Sequence, residues 1–573
     1  MTQDNLQQSS GIVLAKECSS TNFNWTIFLL VVSLSAVLCF CGLGRRTLWQ
    51  DEGETAVLAQ RVRIDGVPRA LSGYNLVDQG AGIPQYDKNY RWIYHPWGQF
   101  YLTAVSFAVL GQTNFAARFP FALCGVFTVA LLYIFVWRHW HNLTLAALSS
   151  VLLATSTTFV LHCRQCRYHG LSALVCLAAV AVFVELMNRP CRLWWIMFGV
   201  ALAAQFYTDF GILAVILPGL IVSLWPMRAR RQEIIATVKS FALAGLLIVP
   251  GLLLHWHRLM TAGSDGSHEF LVALLIYVYH FDNRFIPLLF LLPAAGMFVW
   301  RLVKSKKQPS GQDRIVITFA LVISSAVAGM AWAAPRYSYI RYLIPLMSLA
   351  KLLLAVIIIK GYFALRSTGL ALAPARVILI ITVIVLVFTN VVFSPSYYFV
   401  NIRENEELNL ESRSKPFASA ELAGLIYEIT HDFVCSNRVV VNLVDDIAKG
   451  GETVVVDYGE IPLMFYRPDL QIYGKDTLSS LNGPPDLVIM TPYRNFDLTE
   501  YLQSVKLRYG YEYLLHIVFI PAKYNIPEPE QHYFTTPLER FPLVVCLRQD
   551  IEDRMSRVPQ TDEELEARWF RRR

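Results

Sequence analysis

An adjacent pair of acids, Asp51 and Glu52, stands just beyond the first long apolar run of the chain, Trp25 to Leu43. Carboxylates are costly to hold beside a bilayer, so acids at a membrane edge are functional candidates by default. The local alternative is that Asp51 caps a helix beginning at Gly53-Glu54-Thr55-Ala56. Glu54, Asp78 and Asp87 follow in the same polar stretch, and His268-Glu269 lies in a later one. Among the cations near these stretches are Arg61, Lys88, Arg91, Arg164, Arg167, Arg258, Arg284, Arg336 and Arg341. Guanidinium pairs bidentately with phosphate, while snorkelling toward headgroups accounts for part of the set. A carboxylate that takes a proton from a hydroxyl and cations that stabilise a departing phosphate are the parts of a transfer reaction from a lipid phosphate. A sugar moved in this way would pass through an oxocarbenium-like state.

These residues must be positioned by a membrane protein. Of 573 residues, 55% are hydrophobic and only 16% charged, against about 25% charged in soluble domains. The net charge of +7 suits loops facing an anionic leaflet and makes no case for nucleic acid. Cys163 and Cys166 form a CxxC, but no second pair lies at zinc-ligand spacing, so nothing in the sequence requires a metal and a divalent ion is left unassigned. Residues 1–24 are polar and no small-residue cleavage site follows the first apolar run, which reads as an anchor behind a cytoplasmic tail.

A membrane-crossing helix needs about 20 apolar residues, and Lys/Arg in short loops mark the inner side. Beyond the first span, the runs at 116–137, 143–161, 171–187, 193–207, 211–225, 234–254, 285–300, 315–333, 340–359 and 377–393 give about eleven crossings. Asp209 sits between two short members of this set, which read as a hairpin. The stretch from Pro96 to Leu110 is too short to cross, and charge parity lays it along the interface, with Phe270 to Tyr279 read the same way. The expected organisation is a transmembrane region over 25–395, with outer loops at 44–115 and 255–284. An extracytoplasmic α/β domain over 396–573 follows, with strand-like runs Thr453 to Val456, Asp486 to Met490, Leu515 to Ile520 and Leu543 to Leu547. Asp457 and Glu460, at the end of the first of these, are either acceptor contacts or ordinary solvated strand-end residues.

Five pieces of sequence occur in an order that resembles the GT-C glycosyltransferases, in the branch of the protein O-mannosyltransferases and the aminoarabinose transferases of lipid A. They are Leu48-Trp49-Gln50-Asp51-Glu52, Tyr94-His95-Pro96-Trp97, Phe115 to Pro120 with Gly111 before it, Arg164-Gln165-Cys166-Arg167-Tyr168, and Arg341 to Leu346. The resemblance covers residues 25–395 and implies a polytopic α-helical enzyme of the multi-pass cell membrane. Such an enzyme moves a monosaccharide, with inversion, from a polyprenyl-phosphate donor to a glycolipid, polysaccharide or protein. It implies Asp51 as general base and Glu52 as a residue orienting substrate or the neighbouring helix. Arg118, Arg164, Arg167 and Arg258 would lie near the phosphate, with Tyr94 and His95 lining the cavity. His268 and Glu269 are further candidates for substrate contact. One departure stands out: the aminoarabinose transferases carry an acid and a lysine before a Pro-Pro pair, where this chain has Tyr94-His95-Pro96-Trp97. That difference weakens the transfer of their sugar specificity. The rival readings are a lipid or sugar transporter, which would show paired repeats and broken midplane helices, and an inactive scaffold.

Overall fold

A computed structural model of the chain describes residues 23–557 except 81, 262–269, 306–308, 335–337, 369–370, 397–420, 432–434, 491–497 and 522–539, together with residue 564. Most of it is helical. Among the described residues, five helices are long and apolar enough to cross a membrane, and two bent pairs bring the number to seven. The five are Asn114–Trp140, His169–Asn188, Arg231–Trp256, Gly311–Ala333 and Ile340–Ser367. Trp25–Phe40, Phe210–Ser223 and Leu372–Phe388 are apolar but shorter.

Several of the expected helical elements are bent or interrupted, each for a local reason. The 143–161 run divides into Leu143–Ala154 and Thr157–Cys163, bent by 62°. Thr155 Oγ1 turns back to the Val151 carbonyl and Ser156 is extended, as hydroxyl side chains do when they compete with the helix ladder. Phe270–Phe285 and Leu288–Trp300 meet at 99° across Pro287, which has no N–H to continue the ladder. The stretch read as a helix from 340 starts as a 3-10 segment, Ile340–Leu346, with Pro345 inside it. The helix that begins at Arg231 continues to Thr261, so Arg258 lies on a helix rather than in a loop.

Two elements frame the acids. Helix α1 (Gln50–Asp65) carries them, and α2 (Gly98–Leu110) packs beside it as the short apolar helix expected there. Asp51 is not the cap of α1: Trp49 precedes the helix, and its backbone N–H donates to Glu52 Oε2 at 3.2 Å. Gly66 ends the helix in the left-handed conformation, φ 74°, with its N–H on the Val62 carbonyl, a stop that glycine takes without strain. Although α1 is polar, it is buried from Glu52 to Ala59. What covers it comes from the far end of the chain.

Residues 453–548 form a five-stranded sheet in the order β2-β1-β3-β5-β4, where β1 is Thr453–Val456, β2 Gln471–Tyr473, β3 Leu487–Met490, β4 Tyr513–Pro521 and β5 Arg540–Arg548. The first three strands in chain order are mutually parallel and β4 and β5 join antiparallel. The connection from β1 to β2 carries α3 (Glu460–Tyr466), as a parallel pair requires a crossover. Helix α3 lies on α1, and one buried cluster joins Val57 and Leu58 to Phe100, Val454, Ile461 and Leu463. In contrast, Glu421–Thr430 packs with the membrane helices through Leu422, Leu425 and Ile429.

Candidate active site

The start of α1 presents its two acids to different surroundings, because successive helix residues point about 100° apart. Glu52 faces inward. Arg118 donates from Nε to Glu52 Oε1 at 2.7 Å and from Nη2 to Oε2 at 2.6 Å. Its other N–H groups reach the carbonyls of Leu43, Arg46 and Thr47, so all five guanidinium donors are engaged. Glu52 also accepts from the backbone N–H of Cys166 at 2.9 Å. Glu52 thus braces the start of its own helix, and Arg118, expected near the phosphate, spends its donors on Glu52 and on the segment before α1.

Asp51 faces the other way. Arg341 Nη1 lies 3.3 Å from Asp51 Oδ2 and Arg167 Nη2 3.5 Å from the same oxygen. Both separations exceed the ~2.7–2.9 Å of a tight charge-assisted bond. The Asp51 side chain is 15% exposed and that of Arg341 20%, so this pair reaches the surface while Glu52 does not. Arg341 lies over the Tyr339 ring at 4.4 Å and the Tyr342 ring at 5.8 Å.

Behind Asp51, one helical turn along, Glu54 anchors Arg167 and His95. Arg167 Nη1 donates to Glu54 Oε1 at 2.7 Å, His95 Nδ1 lies 3.0 Å from the same oxygen, and Gln79 Nε2 reaches Oε2. Burial pushes the Glu54 carboxyl up, but the Arg167 charge, with hydrogen bonds from His95 and Arg167, overcomes it and holds the group below the usual carboxylate range. For His95, burial dominates and holds the imidazole below its ordinary value against the pull of Glu54. A neutral ring beside an ionised carboxylate carries its proton on Nδ1 and donates it to Glu54. Tyr94 and Tyr168 flank the ring, with centroids at 4.5 and 6.1 Å.

The structure therefore gathers Asp51, Tyr94, His95 and Arg167 and sets Glu52, Arg118 and Arg164 apart from them. Arg164 donates to the carbonyls of Leu38 and Cys39. The Arg258 side chain, His268 and Glu269 lie outside the described residues. Two residues given no role from sequence belong here, Glu54 and Arg341. Glu54 follows Asp51 by three positions, the spacing that puts two side chains on one helix face, and that signal could have found it. Asp457 and Glu460 are not solvated strand-end residues: both are buried, and Glu460 Oε1 accepts from Gln50 Nε2 at 2.7 Å. Among the described residues, no group of three His, Cys, Asp or Glu side chains is placed to hold a metal ion.

Residues 94–256 match the family model described as dolichyl-phosphate-mannose-protein mannosyltransferase. The chain is similar to undecaprenyl phosphate-alpha-4-amino-4-deoxy-L-arabinose arabinosyl transferase 2 of Pseudomonas fluorescens, 29% identical over 255 residues, 43% of this chain and 40% of that protein. It is 24% identical over 289 residues to the protein of the same name from Proteus mirabilis, 47% of this chain and 49% of that one. The chain thus spans less than half the length of these relatives. ArnT from Cupriavidus metallidurans bound to undecaprenyl phosphate has a similar structure, with a TM-score of 0.52 at 14% identity, covering 90% of this chain and 97% of that one. Its apo form gives 0.50. The chain has the fold of the GT-C membrane glycosyltransferases and resembles their aminoarabinose transferase branch.

Proposed function

We propose that this protein is an inverting glycosyltransferase that moves a monosaccharide from a polyprenyl-phosphate donor to an acceptor hydroxyl. The observation that carries the reading is Asp51: a surface-reaching carboxylate at a helix start, facing two arginines held at loose distance. As the acceptor oxygen bonds to the sugar's anomeric carbon, Asp51 takes its proton and the bond from that carbon to the phosphate oxygen breaks. The phosphate leaves with the electron pair. Arg341 turns from Asp51 to the phosphate as negative charge grows on it, and Arg167, tethered by Glu54, supplies a fixed second charge. His95, neutral and bound to Glu54, lines the space with Tyr94.

The prenyl chain would lie along apolar grooves between the helices. One apolar cavity of about 680 Å³, lined by Leu289, Phe298, Leu321 and Ile357, ends at Lys360 and Tyr362. Along the helical stretch that starts at Arg341 it runs from about 20 Å to about 30 Å away, within reach of a long chain. In this reading the chain makes about eleven crossings of a cell membrane, with α1 and the C-terminal sheet on the outer face. The acceptor is a glycolipid, an envelope polysaccharide or a protein.

The test is sugar transfer by the purified chain in nanodiscs, using radiolabelled polyprenyl-phosphate sugars and envelope acceptors, with Asp51→Asn in parallel. Transfer by wild type alone supports the reading. Equal transfer by both removes Asp51 from the chemistry, and no transfer by folded wild type with any donor overturns the enzyme assignment.

A further inference from the structure

A second polar pocket lies on the Glu52 side of α1, where the end of Trp25–Phe40, the segment before α1, Arg164-Gln165 and the helix Glu421–Thr430 meet. Its volume is about 50 Å³, room for a few waters or one phosphate-sized group. Asp51 is not in its lining. Four guanidinium groups face it, from Arg45, Arg46, Arg118 and Arg164, against two carboxylates, Glu52 and Glu428. Arg46 pairs with Glu428 and Arg118 with Glu52.

The other two arginines form no ion pair with a carboxylate among the described residues, although the Glu428 charge acts on Arg164. Arg45 donates to the Ile429 carbonyl at 3.2 Å. Arg164 donates through Nη1 alone, to Leu38 and Cys39, and burial pushes its guanidinium down to about 10. The pocket thus carries two uncompensated positive charges. Two further side chains in its lining point to a missing ligand. Trp49 Nε1–H and the Gln165 amide oxygen are both buried with no hydrogen-bond partner. An indole N–H can only donate, and half a turn of the Gln165 amide presents its NH2 to the same space.

We propose that this pocket binds the phosphomonoester headgroup of a membrane lipid, at a site separate from Asp51. Two uncompensated guanidinium groups and a spare indole N–H match a dianionic oxyanion. The position, at the end of an apolar helix, is where a lipid phosphate lies, and basic pockets between membrane helices recognise such headgroups. The Arg164 bonds to Leu38 and Cys39 tie the occupied pocket to the first apolar helix, while Trp49 and Glu52 tie it to the start of α1. Binding is read without turnover, so the proposal stands whether or not the chain transfers sugar.

The experiment is a thermal-shift titration of the full chain in detergent with dihexanoyl phosphatidic acid, inorganic phosphate and dihexanoyl phosphatidylcholine. Wild type is compared with Arg45→Gln, Arg164→Gln and Arg341→Gln. Phosphatidic acid should raise the melting temperature of wild type saturably, with an apparent affinity about tenfold lower in Arg45→Gln and Arg164→Gln and unchanged in Arg341→Gln. Arg45 holds a single carbonyl, so its variant remains informative if Arg164→Gln does not fold. No saturable effect of phosphatidic acid overturns the proposal. So does an effect equal to that of phosphatidylcholine, or one lost with Arg341 instead of Arg45. Inorganic phosphate matching the lipid at equal concentration would also overturn it, assigning the site to a free anion.

Discussion

Gly53 lies against Pro462, with no room for a side chain: a Cβ there would stand 2.6 Å from the Pro462 nitrogen and 2.9 Å from its Cα. The helix that carries Asp51 and the helix that crosses from β1 to β2 touch backbone to backbone. Gly53→Ala in a free helix would add about 1 kcal/mol of stability. Here the overpacking cost of about 1–3 kcal/mol opposes it, because backbone atoms cannot swing aside. We expect a lower melting temperature and reduced transfer, and an unchanged or raised melting temperature would contradict the packing.

Asp51 and Glu52 should respond to the same chemical change in opposite ways. Removing the charge of Glu52 by Gln leaves Arg118 buried without its counterion, a loss of about 3–5 kcal/mol, visible as a large drop in melting temperature. Asp51→Asn should leave the melting temperature nearly unchanged and lower turnover by about 100-fold to 10,000-fold, the range for a lost general base. A cold-labile, unstable Asp51→Asn beside a stable Glu52→Gln would reverse the roles assigned here.

Arg341→Lys keeps the charge and loses the planar fork stacked beside Tyr339. If Arg341 stabilises the departing phosphate, the turnover number should fall by about 100-fold or more with little change in folding. A variant with wild-type turnover would leave Arg167 as the sole phosphate partner.

Glu54 and His95 both bind protons less readily folded than unfolded, so acidification works against the fold in two steps. The His95 contribution is present above its ordinary value of 6.5 and is lost as pH falls through that value toward its lower folded one. The Glu54 contribution is lost in the same sense, starting below 4.5. Melting temperature measured from pH 8 to 4 should decline in both intervals, and His95→Gln should make the upper decline shallower.

Much of the secondary structure was legible from local pattern. The strand read at Thr453 to Val456 is β1, and the other three strand runs fall within one to three residues of β3, β4 and β5. The short apolar helix before Leu110 was also legible, as a separate apolar and aromatic run. The division of labour between Asp51 and Glu52 was not. Both are carboxylates at one helix start, and only the direction of Arg118, placed by a different helix, separates them. Nor could the burial of Glu460 be read, because its partner Gln50 lies 410 residues away and a contact at that range has no periodic signature. Glu54 fell between these cases: its spacing from Asp51 was visible, but Arg167 and His95, the partners that give it a role, come from other segments.

The clamp on α1 also imposes an order in time. Gln50 waits for Glu460, the backbone N–H of Leu48 for the hydroxyl of Tyr466 at 2.8 Å, and the Leu48 carbonyl for Asn437 at 3.1 Å. A ribosome has placed Asp51 in the chain and moved through every membrane helix before it makes any of these three. The nascent chain therefore carries Asp51 on an unbraced helix throughout most of its synthesis, and the brace is complete only once the last quarter of the protein has folded back onto the first tenth.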